Sequence, residues 1–225
     1  KFGNCERSEK MLEKKRKTGY TTEKGGHPME HPTKPGCLIM AAGNASRFRA
    51  NKLAAQFDGK PLIRRALEAV PAELFARVVV VTQYPQVEEL AAEFGFEAIR
   101  NPHPDYGISY TIRLGTQALS DCGGILYMVS DQPLLASDSV AKVVQAWLAH
   151  PDRIVGAAHN GKRGNPNLFP QEFFPELLEL TEDHGGNTVI RAHPERFLPV
   201  EVAQEELTDV DTPQALRELE EEQHN

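Results

Sequence analysis

Cysteine, tryptophan, basic charge and long apolar runs are all scarce in this chain, and each scarcity excludes something. Its three cysteines, Cys5, Cys37 and Cys122, are odd in number, far apart and without metal-ligand spacing. That argues against a disulfide framework and a zinc site and fits a reducing cytoplasm. No apolar stretch approaches the roughly 18 residues that a bilayer crossing needs, and no secretory signal is recognisable. Lys and Arg number 25 against 32 Asp and Glu, a formal net charge of -7, which speaks against a general nucleic-acid binder. Both common glycine-rich phosphate motifs, G-x-x-x-x-G-K-S/T and G-x-G-x-x-G, are missing, so neither P-loop nor dinucleotide mechanics applies directly. No internal repeat is visible.

What is present divides unevenly. Residues 1–36 are basic, rich in Gly, Pro, Thr and Lys, and poor in periodic apolar residues, so they read as an appendage to a domain spanning 37–225. Met11 and Leu12 ahead of Lys14, Lys15, Arg16 and Lys17 suggest a short helix with a thin apolar stripe. His27 and His31 each precede a proline and read either as surface residues or as metal ligands. A chain opening on Lys1 rather than Met is read as processed, truncated or led by an expression-derived segment.

From Cys37 onward, apolar strands alternate with amphipathic segments, the pattern of a mostly parallel, doubly wound α/β sheet with helices on both faces. Strands are expected near 37–41, 77–82, 96–99, 124–129, 153–158 and 196–202. Helices are expected near 61–70, 86–94, 109–119, 137–149, 172–180, 186–192 and 213–222. The four consecutive valines Val78 to Val81 suit a strand buried on both faces. In such sheets ligands gather beyond the carboxyl ends of the strands, so the loops after Met40, Val81 and Val129 should share one cleft.

The stretch from Leu38 to Lys52 holds the chemistry of a triphosphate cradle. Ala41, Ala42 and Gly43 have almost no side chain, so backbone N–H groups can approach phosphate oxygens, while Arg47 and Lys52 bring positive charge from beyond the turn. Gly59-Lys60-Pro61-Leu62 reads as a glycine turn before a helix, with Lys60 a candidate substrate contact. The segment from Asn101 to Ser109 leads into a helix start; Ser109 reads either as an anion contact or as an N-cap, and Arg113 as facing ligand or solvent.

The strand Ile125 to Val129 ends in Ser130-Asp131-Gln132-Pro133, which places a carboxylate at the ligand-binding edge. Mg²⁺ is content with few carboxylates plus phosphate oxygens and water, so Asp131 reads as a metal ligand, with capping as the alternative. Asp209-Val210-Asp211-Thr212-Pro213 sets two more acids before a helix, where either could complete the metal site or act as a cap. The turn clusters Gly164 to Phe169 and Glu182 to Asn187 fit the walls of a second-substrate pocket as well as they fit generic connections. His184 reads as a surface residue or a ligand contact.

As an ordered set, Ala-Ala-Gly with Arg47 and Lys52, Gly-Lys-Pro-Leu, Gly-Ile-Ser, Asp-Gln-Pro, Gly-Asn-Pro and Asp-Val-Asp-Thr-Pro resembles the molybdenum cofactor nucleotidyltransferases, in particular the cytidylyltransferase branch. The resemblance runs from about Cys37 to Glu220. It departs at Ala45, where the family has Ser, and at Arg49 and Ser130, where the family has Gly.

The resemblance implies a Rossmann-like nucleotidyltransferase fold. It assigns Ala41, Ala42, Gly43, Arg47, Lys52, Lys60 and Ser109 to the nucleotide, and Arg47, Lys52 and Asp131 to catalysis. Mg²⁺ would be held by Asp131 and Asp211, with Asp209 in reserve. Ala-Ala-Gly favours CTP over GTP, and molybdopterin or molybdenum cofactor is the implied acceptor, with a molybdoenzyme as the recipient of the product. A different phosphorylated acceptor, or a non-catalytic cofactor carrier, are the competing readings.

Overall fold

The computed structural model describes residues 34–44, 48 and 51–224. The chain divides into two units, Lys1–His31 and Pro32–Asn225, and every described residue lies in the second. His27, His31 and the suggested helix near Met11 fall outside the described residues, as do Ala45, Arg47 and Arg49. Lys34 and Pro35 already belong to the folded unit: the Lys34 ammonium donates to the Glu73 carbonyl at 2.8 Å, and Pro35 O accepts from Ala76 N.

Nine strands alternate with seven α-helices among the described residues. The strands are β1 (Gly36–Ala41), β2 (Gln56–Phe57), β3 (Lys60–Pro61), β4 (Val78–Thr82), β5 (Glu97–Arg100), β6 (Gly124–Val129), β7 (Ile154–His159), β8 (Lys162–Pro170) and β9 (Phe197–Glu201). The helices are α1 (Leu62–Glu68), α2 (Pro85–Glu93), α3 (Ile108–Ala118), α4 (Ser137–Ala149), α5 (Phe174–Leu178), α6 (Asn187–Ala192) and α7 (Pro213–Gln223). Seven strands form one sheet in the order β5-β4-β1-β6-β8-β7-β9, and β2 pairs with β3 in a separate ribbon.

Side-chain alternation explains why this sheet needs cover on both faces. Cys37, Ile39, Val78, Val80, Leu126 and Met128 point to the face covered by α1, α2 and α4. Leu38, Val79, Val81, Ile125 and Tyr127 point to the other, under α3, α5 and α6. With both faces apolar, the valine run of β4 is buried throughout, as its lack of alternation anticipates. Burial also pushes the Cys37 thiol far above its ordinary pKa, which leaves it an inert core group.

One strand departs from the expected pattern. β8 is antiparallel to both β6 and β7, whereas every other pairing in the sheet is parallel. The sequence pattern alone predicts no strand between 158 and 172, because the cluster from Gly164 to Phe169 reads as a turn. The local signal was nevertheless there. Asn160 and Gly161 take φ of 49° and 79° and join β7 to β8 by a two-residue connection, the geometry an Asn-Gly pair favours. Pro61 also differs: it pairs in β3, and α1 begins one residue later.

No described helix is long and apolar enough to cross a membrane. The chain's one tryptophan, Trp147 of α4, is 1% exposed and packs against β6 and β8 beside Gly124. Trp147→Ala should lower stability by about 3–5 kcal/mol, read from thermal or denaturant unfolding followed by circular dichroism.

Candidate functional site

The carboxyl ends of β1 and β6 lie side by side in the sheet, Met40 opposite Val129. Beyond them a cleft of about 530 Å³ opens, walled by Ala42, Gly43 and Asn44 after β1 and by Ser130 and Asp131 after β6. Lys52, Asp105, Thr111, Asp183 and Asp211 complete its polar lining. The loop after β4 supports this cleft from behind instead of lining it. Gln83 Nε2 donates to the Ala42 carbonyl and to Asn44 Oδ1, and the Tyr84 hydroxyl donates to the Gly43 carbonyl. Ser130, the bulkier residue where the resembled family has Gly, turns its hydroxyl onto the Met40 carbonyl at 2.9 Å and so ties β6 to β1.

Lys52 is the first residue of a short 3-10 turn capped by Asn51, whose Oδ1 accepts from Leu53 N. The turn buries Leu53 and directs the Lys52 side chain, 11% exposed, between two acids. Its ammonium donates to Asp131 Oδ2 at 2.8 Å and to Asp211 Oδ1 at 3.1 Å. Because both bonds end on one nitrogen, the two carboxylate oxygens lie within about 6 Å of each other, a span that small side-chain adjustments close around a hard cation.

The chain brings the distant Asp211 to this point through Val210. That side chain is fully buried with Phe57, Leu62, Leu216 and Leu219, and its N–H donates to the Asp131 carbonyl at 2.9 Å. A buried valine between two acids thus pins both of them against the end of β6. Neither is a helix cap: Thr212 caps α7, accepting from Ala215 N. Asp131 is no cap either, because α4 starts at Ser137 and its first turn is served by the Glu206 carboxylate.

The site fits a divalent ion. Asp131 Oδ1 is buried with no hydrogen-bond partner, an arrangement that costs free energy unless something electropositive meets that oxygen. Four acids against one lysine line the described part of the cleft, so a polyanionic ligand there requires added positive charge. No group of three or more potential metal-ligating side chains occurs among the described residues. Two carboxylates supplemented by water and phosphate oxygens is the coordination Mg²⁺ tolerates best.

Three residues expected around the nucleotide sit elsewhere. Ala41 ends β1 at 1% exposure, packs in the core, and its carbonyl accepts from the Thr82 hydroxyl, so only Ala42 and Gly43 of that trio reach the cleft. Lys60 pairs with Glu68 at 2.8 Å on the small ribbon. Ser109 is the second residue of α3, 2% exposed and absent from the cleft wall; the N-cap is Gly107. Gly107 has φ +80°, and a Cβ there would lie 2.3 Å from the Glu182 carbonyl oxygen, so only glycine lets the 181–186 loop seat against the start of α3.

Arg113 faces neither ligand nor solvent alone: it braces α3 to the carbonyls of Leu178 and Leu180. His184 is exposed and bonds the Thr181 carbonyl. Sequence reasoning missed Asn44 and Asp105 as cleft residues, whereas Asp183 lies in the Glu182 to Asn187 cluster expected at a pocket wall. Asn44 Nδ2 donates to Asp105 Oδ1 at 2.7 Å, a contact between segments that no local pattern announces.

Asp209 points to Gln132, whose Nε2 donates to its Oδ1 at 2.9 Å. Partial burial raises its carboxyl pKa, the Asp131 and Asp211 charges add to that, and the Gln132 and Lys52 contacts oppose it. The folded state therefore holds this proton more tightly than the unfolded chain, and stability falls as pH rises through the window above 3.8. Asp209→Asn keeps an oxygen for Gln132 and should unfold at a higher temperature than wild type at neutral pH, the difference vanishing below pH 3.8.

The chain is 29% identical over 158 residues to the 3-deoxy-manno-octulosonate cytidylyltransferase of Neisseria meningitidis serogroup A, covering 68% of this chain and 58% of that one. It spans about half the length of the curated relatives it matches. Its fold is that of CMP:2-keto-3-deoxy-manno-octonic acid synthetase, solved with CTP, at TM-score 0.67 and 16% identity, covering 85% of this chain and 99% of that one. Rv0371C of Mycobacterium tuberculosis H37Rv, solved with manganese, superposes at TM-score 0.69 and 21% identity, covering 84% of this chain and 99% of that one. A MobA-like NTP transferase domain matches residues 37–197, which includes β1, Lys52 and Asp131, and the protein belongs to that family.

Proposed function

We propose that this protein transfers CMP from CTP to the terminal phosphate of molybdopterin or molybdenum cofactor, with release of pyrophosphate and dependence on Mg²⁺. The observation that carries the reading is the Lys52 ammonium clasped by Asp131 and Asp211 at the mouth of the cleft, beside an unpartnered buried oxygen of Asp131. The family supports nucleotidyl transfer as the reaction class. Cytosine as the base is supported by the cytidylyltransferase relative and by the Ala-Ala-Gly turn. The acceptor comes from the ordered motif resemblance. A cytoplasmic place of action and delivery to a molybdoenzyme are part of the same proposal.

In this reading Ala42 and Gly43 let the triphosphate lie close to the backbone after β1, and Lys52 neutralises charge that accumulates on the departing pyrophosphate. Asp131 and Asp211 hold the metal, which when bound polarises phosphate oxygens and screens the two anions from each other. An acceptor phosphate oxygen forms a bond to the α-phosphorus while the α–β anhydride bond breaks, and the bonding pair leaves with pyrophosphate. No protein nucleophile is needed, because a phosphate monoester is already anionic near neutral pH; the protein orients the reactants and neutralises charge. Arg47 is proposed to add a second cation to the same phosphates.

A second reading keeps the nucleotide and changes the acceptor to a sugar acid, which the Neisseria relative favours, or to a phosphorylated alcohol. Pyrophosphate release from CTP or GTP with each acceptor, and the mass of the product, separates these possibilities. Lys52→Ala should cut turnover by about a hundredfold or more while the far-ultraviolet dichroism stays native. Asp131→Asn should lose activity comparably and, unlike wild type, gain little thermal stability from added Mg²⁺. Near-normal pyrophosphate release by either variant would overturn its assigned role.

A further inference from the structure

Two stretches of chain bring the paired acids of the cleft together, 131–139 after β6 and 206–211 before α7, and they are laced to each other in opposite directions. Glu206 accepts from Ala136 N at 2.9 Å and from the Ser139 hydroxyl at 3.0 Å. Gln132 Nε2 donates to Asp209 Oδ1 at 2.9 Å, and Val210 N–H donates to the Asp131 carbonyl at 2.9 Å. We propose that Gln132 and Asp209 are a positioning pair: their hydrogen bond fixes Asp211 against Asp131 for metal binding, and Asp209 is not itself a ligand. This rests on the reading in which Asp131 and Asp211 hold a divalent ion.

One bond between the segments would not hold Asp211 in place. The contact from Val210 to Asp131 sets a distance but leaves the two stretches free to turn about it; a second bond at the adjoining residues removes that rotation. Asp211 has the greater need, because its side chain is 60% exposed and packing does little to hold it, whereas that of Asp131 is 25% exposed. Gln132 is a firm donor. It is 4% exposed, follows directly on Asp131, and its carbonyl accepts from Leu135 N in the turn that leads to α4. The carboxylate also settles which way its amide faces, since only the nitrogen can donate.

Asp209 stands apart from the ion-binding pair. The Lys52 ammonium bonds Asp131 and Asp211, while Asp209 bonds Gln132. No group of three or more potential metal-ligating side chains occurs among the described residues, so Asp209 does not complete a set with the other two. Mg²⁺ demands near-ideal geometry from few protein oxygens, and residues behind its ligands set how well that demand is met. The pair therefore acts on affinity for the ion and not on the reacting atoms.

The test reads metal binding directly. Full-length protein is titrated with Mn²⁺, the free ion being followed by electron paramagnetic resonance, first alone and then with a non-hydrolysable CTP analogue. Gln132→Met removes the donor at nearly constant volume and Asp209→Ala removes the acceptor; each should weaken Mn²⁺ binding by about tenfold or more. Asp209→Asn keeps an acceptor oxygen and loses the charge, so its affinity should stay within about threefold of wild type. Combining Gln132→Met with Asp209→Ala should cost no more than about twofold beyond the weaker single variant, because both remove the same bond. Circular dichroism in chelator shows which variants are folded; should Gln132→Met fail to fold, the contrast between Asp209→Ala and Asp209→Asn decides. Equal weakening by those two means that Asp209 acts through its charge, and overturns the proposal. Wild-type affinity in Gln132→Met or in Asp209→Ala overturns it as well, and loss of Mn²⁺ binding in Asp131→Asn then leaves the metal reading intact. Absence of Mn²⁺ binding by wild type under both conditions sinks the metal reading and the positioning pair together. Binding that responds to the variants in a protein that releases no pyrophosphate removes the nucleotidyl-transfer reading and keeps the pair.

Discussion

Two carboxylates 80 positions apart in the sequence cannot sit together at the end of a β-strand unless a cation holds them there, and the arrangement of this cleft follows from that constraint. Lys52 supplies the cation, reaching Asp131 across 79 positions of the sequence and Asp211 across 159. Mutual repulsion of the acids would otherwise open the site, and one partner of such a pair left alone in a half-buried setting is costly. The same electrostatics makes the cleft receptive to a divalent ion, because Asp131 retains an oxygen that Lys52 does not reach.

The scaffold supporting this triad is apolar and local at each point. Leu53 anchors the turn that begins at Lys52, Val210 anchors the segment that carries Asp211, and β6 anchors Asp131. Lys52 and Asp211 are each one residue away from a buried hydrophobe, and Asp131 follows the buried Ser130 at the end of β6, so the side chains reach the site from rigid backbone. Glu206 and Thr212 cap the neighbouring helices, so Asp131 and Asp211 are not the capping residues there.

The antiparallel β8 gives the domain a second cavity, of about 830 Å³. A purely parallel continuation would have carried the chain back over a helix after β7, whereas the Asn160–Gly161 connection folds it straight back into the sheet beside β6. That return places Lys162, Arg163 and Asn167 on the flank of the nucleotide cleft, next to Gln132. Ser130 braces two strands, and Arg49 lies outside the described residues.

Much of this was legible in the residues themselves. Burial on both faces follows from unalternated runs such as Val78 to Val81, and the strand-end position of Asp131 follows from an apolar run stopping at a carboxylate, because backbone periodicity and hydrophobic burial are local rules. The strand in Lys162–Pro170 stayed hidden because its Gly, Asn and Pro content argues for a loop, and only pairing with β6 and β7 on either side overrides that propensity. Lys60 and Ser109 carried suitable chemistry, but Lys60 pairs with Glu68 and the Ser109 hydroxyl turns back to the Tyr106 carbonyl, a matter of which way each element is rotated. The sequence by itself determined the layered α/β architecture and which residue types could handle phosphate and metal. Tertiary structure alone decided that Lys52, Asp131 and Asp211 meet and that Asn44 and Asp105 join them, since contacts between segments far apart in the chain depend on packing that no local pattern encodes.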